Sequence, residues 1–520
     1  MDMELLLLYA PCCLVLVLSS LYLLGLYADS RRNLPPGPRP LPLVGSLFSL
    51  GALPHRSMAR LAECHGPVMA LRLGTVTTIV ASSADAARDV LQRHDAAFSG
   101  RSLPDGTHAF AHYTHSMVWL PTSSPRWRAL RKVCSGELFA PHRLDTHQSL
   151  RRDKVRRLVS HVARLARDGA PVAVARLAFV TALNLLSSTI FSTDLADIDI
   201  IDDDSGSSPA SSFKGVLAEL NATVGLPNVS DFFPEVARLD PQGLRRRIES
   251  LFQRLHAMMD KQIERRLQDR VAAAAAASPK KEKDFLDVML DYRGAEDGRG
   301  FDRQTLLSLL SDLFSAGTDT SAATVEWVMA ELLLNPSSMA KARAELAQVI
   351  GSKPEVEESD IAQLKYLQAI VKEAFRIHPP APLLLPHQAE TTTQIRGGYA
   401  VPKGARVVVN VWAIGHDGKV WPEPDKFMPE RFLVAEDDEK AVDFRGRDFE
   451  LLPFGSGRRM CPGMPLALRM VHLMLASLLH RFEWSLLPPA DDDKNGLDMT
   501  ERLGLNLSMA TPLQAIATPV

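Results

Sequence analysis

The sequence predicts a mainly helical chain with a small β region, preceded by one helix able to cross a membrane. Three observations carry that expectation. Helical periodicity runs through Ser124–Leu138, Phe213–Asp269, Arg303–Leu334, Tyr366–Ile377 and Met464–His480, whereas runs rich in Val, Ile and Thr are few and short. The longest helix, Arg303–Leu334, is apolar nearly all round, which suits the middle of a large domain. Leu5–Tyr27 is a 23-residue apolar run, long enough at about 1.5 Å per residue to cross a hydrocarbon core of roughly 30 Å.

Composition excludes several classes. The chain has 520 residues, 46% of them hydrophobic, which is enough for a large core. A net charge of -2 gives no reason to expect a nucleic-acid partner. The five cysteines (Cys12, Cys13, Cys64, Cys134, Cys461) are scattered and odd in number, so they form no disulfide framework and suit a reducing compartment. Cys-x-x-Cys, His-Glu-x-x-His and the Gly-x-x-x-x-Gly-Lys phosphate loop are absent, and there is no internal repeat.

Taken in order, residues 1–30 form the expected anchor. Arg31 and Arg32 follow it, so the bulk of the protein is expected in the cytosol. A cleaved signal peptide is the rival, but no basic region precedes the long apolar run. The sequons at Asn221, Asn228 and Asn506 are then expected bare. Leu34–Pro42 holds five prolines and is expected to be a stiff strap within a hinge over residues 31–45. Residues 46–520 form the body.

Val68–Ala81 predicts a hairpin turning at Gly74, and Ala84–His94 a short helix. Phe98–Pro121 has no clear period. It holds His108, His112, Tyr113, His115 and Trp119, whose spacing fits no standard metal cluster, so a loop over a substrate pocket is expected. In the Ser124–Leu138 helix, Trp127 and Arg131 share a face, and an indole N–H beside a guanidinium can hold a carboxylate. A core Trp with a snorkelling Arg is the plainer alternative. Arg126, Arg128 and Lys132 face elsewhere, as a solvated face or a basic docking surface. Asp202–Ser212 and Val271–Lys283 are low-complexity and expected to be surface insertions. Two helical patterns within Phe213–Asp269 are joined by Asn228–Gln242.

The centre of Arg303–Leu334 breaks its apolar pattern with Ala316-Gly317-Thr318-Asp319-Thr320-Ser321. Gly317 weakens the helix there, and Thr320 can bond the carbonyl of Ala316, so a local widening is expected. In Tyr366–Ile377, Glu373 and Arg376 pair on one face, as a core-fixing ion pair rather than an acid–base couple. Apolar Leu383–Leu385 then leave in extended form, followed by His387. Tyr399–Asn410 is strand-like, with a turn at Pro402-Lys403-Gly404. Gly415–Glu430 is expected to be an irregular meander, and Thr500–Val520 a closing hairpin with its tip near Leu503–Leu505.

The strongest signal is Phe454-Gly455-Ser456-Gly457-Arg458-Arg459-Met460-Cys461-Pro462-Gly463. Glycines let the backbone approach a flat ligand closely, and a cysteine at the mouth of the helix that follows favours a thiolate. This is a setting for a metal thiolate. The stretch resembles the haem-ligand loop of the cytochrome P-450 family, Phe-x-x-Gly-x-Arg-x-Cys-x-Gly, with every fixed position filled. Four further motifs occur in the family's order: the Trp127/Arg131 helix, the Ala316–Ser321 step, the Glu373/Arg376 pair, and Pro429-Glu430-Arg431-Phe432, which adds Arg431 to that pair.

The resemblance implies the cytochrome P-450 fold, with a single catalytic domain behind a transmembrane helix. It implies haem b with Cys461 as the iron ligand. Trp127, Arg131, Arg459 and Phe454 are expected at the cofactor, with His387 either on a propionate or at the surface. Asp319 and Thr320 would be the catalytic pair serving bound oxygen, and Asp312, Leu313, Leu383 and Leu505 candidate pocket residues. It implies a monooxygenase in the endoplasmic reticulum membrane, using O2, a lipophilic substrate and a membrane-bound NADPH reductase. Asp312–Thr320 and Asp443–Leu451 are similar to plant terpenoid hydroxylases of the geraniol-hydroxylase type, which implies a mono- or diterpenoid. Hydroxylation of flavonoids or phenolics, reductase-independent isomerisation or dehydration, and haem binding without turnover are the alternatives.

Overall fold

The computed structural model describes residues 33–198, 212–275, 283–294, 298–433, 442–488 and 496–520. The expected anchor Leu5–Tyr27 and nearly all of the Asp202–Ser212 insertion lie outside them. Seven helices position the site: α1 (Pro125–Val133), α2 (Val174–Phe191), α3 (Phe213–Val224), α4 (Leu244–Ala275), α5 (Arg303–Leu334), α6 (Lys365–Ile377) and α7 (Met464–Arg481). Helix α5 is the spine. Its Phe314, Val325, Trp327, Val328, Met329 and Leu332 are fully buried, as its all-round apolar pattern requires.

Helix α2 packs along α5. Among the described residues it alone is long and apolar enough to cross a membrane, yet 83% of it is buried inside the domain. Helices α3 and α4, joined by two short 3-10 turns, form a pair above α5. Helix α4 runs to Ala275, so the alanine stretch expected as a loop from Val271 instead supplies its last turn. Alanine is the strongest helix former, and that propensity outweighs low complexity.

The β region is small. A five-stranded sheet is built from β1 (Val68–Leu73), β2 (Val76–Ala81), β3 (Gly100–Arg101), β4 (His387–Gln388) and β5 (Arg406–Val409), in the order β1-β2-β5-β4-β3. The β2–β5 pair is parallel and the others antiparallel. Gly74 turns the β1–β2 hairpin at φ 62°. The register sets Arg101 opposite His387, and opposed residues share a sheet face. The proline strap lies along β1: Pro36 accepts from the Ala70 N–H at 2.9 Å, and a Cβ at Gly37 would meet the Ala70 carbonyl oxygen at 2.0 Å.

The C-terminal segment is not one hairpin. β6 (Glu501–Leu503) and β7 (Leu507–Met509) pair with each other, while Gln514–Pro519 joins Phe482–Leu486 and Val172–Ala173 in a separate sheet. The β6–β7 tip reaches α3 because Gly225 has no side chain; a Cβ there would lie 2.4 Å from the Leu505 nitrogen.

Glu373 and Arg376 of α6 are wholly buried and doubly hydrogen-bonded, at 2.7 and 2.8 Å. Arg431 adds a third bond at 3.1 Å and the Met428 N–H a fourth at 2.8 Å. Arg376 also donates to the carbonyls of Gly415 and Pro424, at 2.6 and 2.7 Å, and so ties down the irregular meander. The cluster is structural, as the spacing predicted.

Candidate active site

A cavity of about 430 Å³ runs from the cysteine loop, beneath α3, to the tip of the β6–β7 hairpin. Cys461 lies at its floor. The loop closes through the Cys461 N–H donating to the Phe454 carbonyl at 3.0 Å. It fits beneath the neighbouring chain because of glycine: a Cβ at Gly457, where φ is +67°, would meet the Leu91 carbonyl oxygen at 2.4 Å. Burial pushes the Cys461 thiol up, while the N–H groups of Gly463 and Met464 and the charge of Arg131 pull it down. The donors at the mouth of α7 are therefore already aimed at the sulfur.

Three guanidinium groups line the same cavity: Arg101, Arg131 and Arg459. None of the three forms an ion pair with a carboxylate among the described residues; their donors go to backbone carbonyls. Arg459 reaches Ser99, Val118 and Leu120 at 2.9, 3.2 and 2.6 Å and lies 5.4 Å over the Trp127 ring. Arg131 reaches Met460 at 2.7 Å. Arg101 reaches Leu385 at 2.6 Å, but its buried Nε has no partner. Burial, then the neighbouring Arg459, lowers Arg101 to about 9. Burial, then Arg101, drives His387 to about 3, so its imidazole is neutral at pH 7, with Nδ1 donating to the Phe98 carbonyl at 2.7 Å. Uncompensated buried cations are costly unless an anion joins them. A thiol donor, surplus guanidiniums and an orphaned Nε fit a haem with its two carboxylates.

One expected contact differs. The indole N–H of Trp127 donates to the Met117 carbonyl at 3.1 Å rather than into the cavity. Trp127 lines the wall and supports Arg459 through its ring face. Likewise Arg126 is no free basic face: it folds back onto the Thr114 carbonyl and Asp302.

On the far side of the cavity, α5 presents Ala316, Gly317, Asp319 and Thr320. The helix is continuous here, without the expected widening. Instead Thr318, Thr320, Ser321 and Thr324 each return a hydroxyl to the carbonyl four residues back, Thr320 to Ala316 at 2.8 Å. Gly317 packs against Leu186 of α2: a Cβ there would lie 2.7 Å from Leu186 Cδ1, so a larger residue would require that side chain to shift. Burial raises the Asp319 carboxyl, and only the Asn221 side-chain amide opposes that.

The Phe98–Pro121 segment does border the cavity, through Thr107, His112, Met117, Val118 and Trp119. Its histidines are dispersed, and no group of three metal-ligating side chains occurs among the described residues. Asp312 of α5 anchors this segment: it accepts from His112 Nε2 at 3.1 Å and from Ser116 Oγ at 2.8 Å to each oxygen. Asp312→Ala would leave both donors buried and unpaired, so a loss of about 1–3 kcal/mol is expected, read by thermal unfolding.

Leu313 and Leu505 line the cavity as expected, as do Leu384 and Leu385. Leu383 does not; it packs on the separate cluster of Leu50, Met58 and Val80. Leu384 has φ +50°, which breaks the alternation of an extended strand and turns Leu383 away. Phe454 borders the cavity beside Phe375, ring centroids 5.3 Å apart.

A thiol at a helix mouth, opposed across an apolar cavity by an acid–alcohol step and ringed by unpaired guanidiniums, defines the haem-thiolate class of oxygen-activating enzymes. Comparisons with known proteins agree. The family model described as cytochrome P-450 matches residues 35–507. The chain is 46% identical over 500 residues to a geraniol 8-hydroxylase from Swertia mussotii, covering 96% of each. It is 46% identical over 512 residues to a geraniol 8-hydroxylase from Catharanthus roseus, covering 97% of this chain and 99% of that one. To a ferruginol synthase from Salvia miltiorrhiza it is 41% identical over 487 residues, covering 94% of each. The chain belongs to the cytochrome P-450 family. It is a monooxygenase with haem held by a cysteine thiolate, using O2, electrons from a redox partner and a lipophilic substrate.

Two residues at the site carry no sequence signal strong enough to single them out. Arg101 follows Gly100 in an aperiodic stretch, and nothing in its spacing marks it. Asn221 sits in an ordinary helical pattern and stands out only as a sequon.

Proposed function

We propose that this chain hydroxylates a mono- or diterpenoid from the endoplasmic reticulum membrane, taking electrons from an NADPH-dependent reductase. The substrate class is carried by one observation: near-complete coverage at 41–46% identity by relatives named for geraniol and ferruginol. The cavity suits it: the surface it exposes is largely apolar, although many polar side chains also border it. The apolar run at Leu5–Tyr27 supports a membrane anchor, and the Leu34–Pro42 strap a fixed attitude of the domain to the bilayer. Residues 1–30, 31–45 and 46–520 are then anchor, hinge and catalytic domain.

Bound haem supplies the oxygen-activating redox chemistry, and its thiolate ligand favours O–O cleavage. The chain's own residues do the rest. Cys461 is the iron ligand. Arg101, Arg131 and Arg459 would neutralise the haem carboxylates, with Trp127 beneath Arg459 and His387 opposite Arg101, and Phe454 packs against Phe375 at the start of the ligand loop. Ala316 and Gly317 border the cavity and, being small, would leave room there for a bound cofactor and oxygen. Thr320 Oγ donates to the Ala316 carbonyl, so its free lone pairs can accept from a water in the cavity and orient it. Asp319, whose carboxyl is raised by burial, holds and passes a proton nearer neutral pH than an exposed aspartate does. The intact Asp319/Thr320 pair favours monooxygenation over isomerisation.

The test is product analysis after co-expression with a plant reductase and terpene synthases; absence of any NADPH-dependent terpenoid product would overturn the substrate class. Thr320→Ala is expected to divert electrons to hydrogen peroxide. Loss of one transition-state hydrogen bond worth about 1.4 kcal/mol lowers the hydroxylation rate about tenfold. Product formed per NADPH consumed checks it.

A further inference from the structure

Asn221 lies on α3, the helix that roofs the cavity, and it is 3% exposed. Both polar atoms of its side chain are spent on α5. Its Oδ1 accepts from Ser315 Oγ, and its Nδ2 donates to Asp319 Oδ2 at 2.6 Å. Ser315 and Asp319 are four apart on one helix face, so a single amide spans one turn of α5. The serine hydroxyl can donate and the carboxylate accepts, which fixes the amide's orientation. Asn506, at the β6–β7 tip, donates to the Asp319 carbonyl at 3.3 Å. Roof helix and hairpin tip thus converge on one residue, the first at its carboxyl and the second at its backbone carbonyl. The neighbours of Asn221 along α3, Leu220 and Thr223, face the cavity, so α3 cannot lift away from α5 without breaking both amide bonds.

We propose that Asn221 is a positioning residue that couples closure of the roof to placement of the proton-carrying acid. With α3 down, the amide holds the Asp319 carboxyl at the cavity wall. With α3 raised to admit substrate, the carboxyl loses the one side-chain donor it has among the described residues, and the relay is disassembled. Protons are then delivered only to a closed site, which limits wasteful reduction of oxygen. The proposal rests on the assignment of Asp319 as the relay acid.

The test uses the full-length holoenzyme with reductase and two readouts: backbone hydrogen exchange in Phe213–Val224, and peroxide formed per NADPH consumed. The reduced carbon monoxide spectrum confirms that each variant holds haem. Asn221→Ala is expected to speed exchange in α3 about tenfold and to raise the peroxide share. Asp319→Asn is expected to raise peroxide while exchange stays near wild type, because amide can pair with amide. The swap Asn221→Asp with Asp319→Asn keeps one donor–acceptor pair but moves the acid to the roof. It is expected to restore slow exchange and leave peroxide high. Unchanged exchange in Asn221→Ala overturns the latch. Faster exchange without extra peroxide, where Asp319→Asn does raise it, overturns the coupling and leaves the relay standing. Wild-type peroxide in Asp319→Asn overturns the relay assignment itself, and the coupling with it.

Discussion

Cys461→Ser is expected to give a folded protein whose ferrous carbon monoxide complex lacks the strongly red-shifted Soret band of thiolate ligation, and whose hydroxylation is lost. Among the described residues the sulfur is the only thiol lining the cavity, and its polar partners are the N–H groups of Gly463 and Met464 and the charge of Arg131. Serine preserves the loop's shape, because closure depends on the Cys461 backbone N–H and on Gly457 rather than on the side chain. It cannot supply the electron-rich donor that the oxygen chemistry needs. The absorption spectrum of reduced protein under carbon monoxide, taken beside a circular dichroism check of helicity, decides the matter. Retention of the red-shifted band would remove Cys461 as the ligand.

Glu373→Ala is expected to be equally severe for a different reason. Its carboxylate accepts from Arg376, Arg431 and the Met428 N–H, all within 3.1 Å. Without it, two guanidiniums remain in the interior with no counter-charge, Arg376 wholly buried and Arg431 nearly so. Breaking one side of a buried ion pair costs about 3–5 kcal/mol, against a total stability of roughly 5–15 kcal/mol. The Gly415–Glu430 meander, pinned by Arg376, would come loose and take the cysteine loop with it. The expected result is little haem-loaded protein, measured as reduced carbon monoxide absorbance per total protein. A variant that loads haem and unfolds at the wild-type temperature would show the triad to be dispensable.

Motifs of short span were legible because their partners lie on one helix or in one loop. The Glu373/Arg376 pair is three residues apart, and the cysteine loop is a single local structure. Arg101 and Asn221 were not, because their meaning comes from distant chain: Arg101 meets Leu385, 284 residues on, and Asn221 meets Asp319, 98 residues on. Leu383 departs from the pocket because one left-handed residue, Leu384, reverses the side-chain alternation that an extended run assumes. The spacing lets the Trp127 indole meet a carboxylate, but Met117 returns over the helix and its carbonyl accepts the indole N–H. That return is a tertiary contact that no spacing within α1 encodes.

The apolar helix α2 has a bearing on biogenesis. As it leaves the ribosome, Val174–Phe191 meets the length and composition that membrane insertion machinery accepts, while its main packing partner begins only at Arg303. The nascent chain must therefore sequester it with what has already been made, chiefly the Gln148–Arg167 helix against which it packs. Substitutions that weaken that early pairing would act on topology rather than on catalysis, stranding the emerging domain in the bilayer before its spine exists.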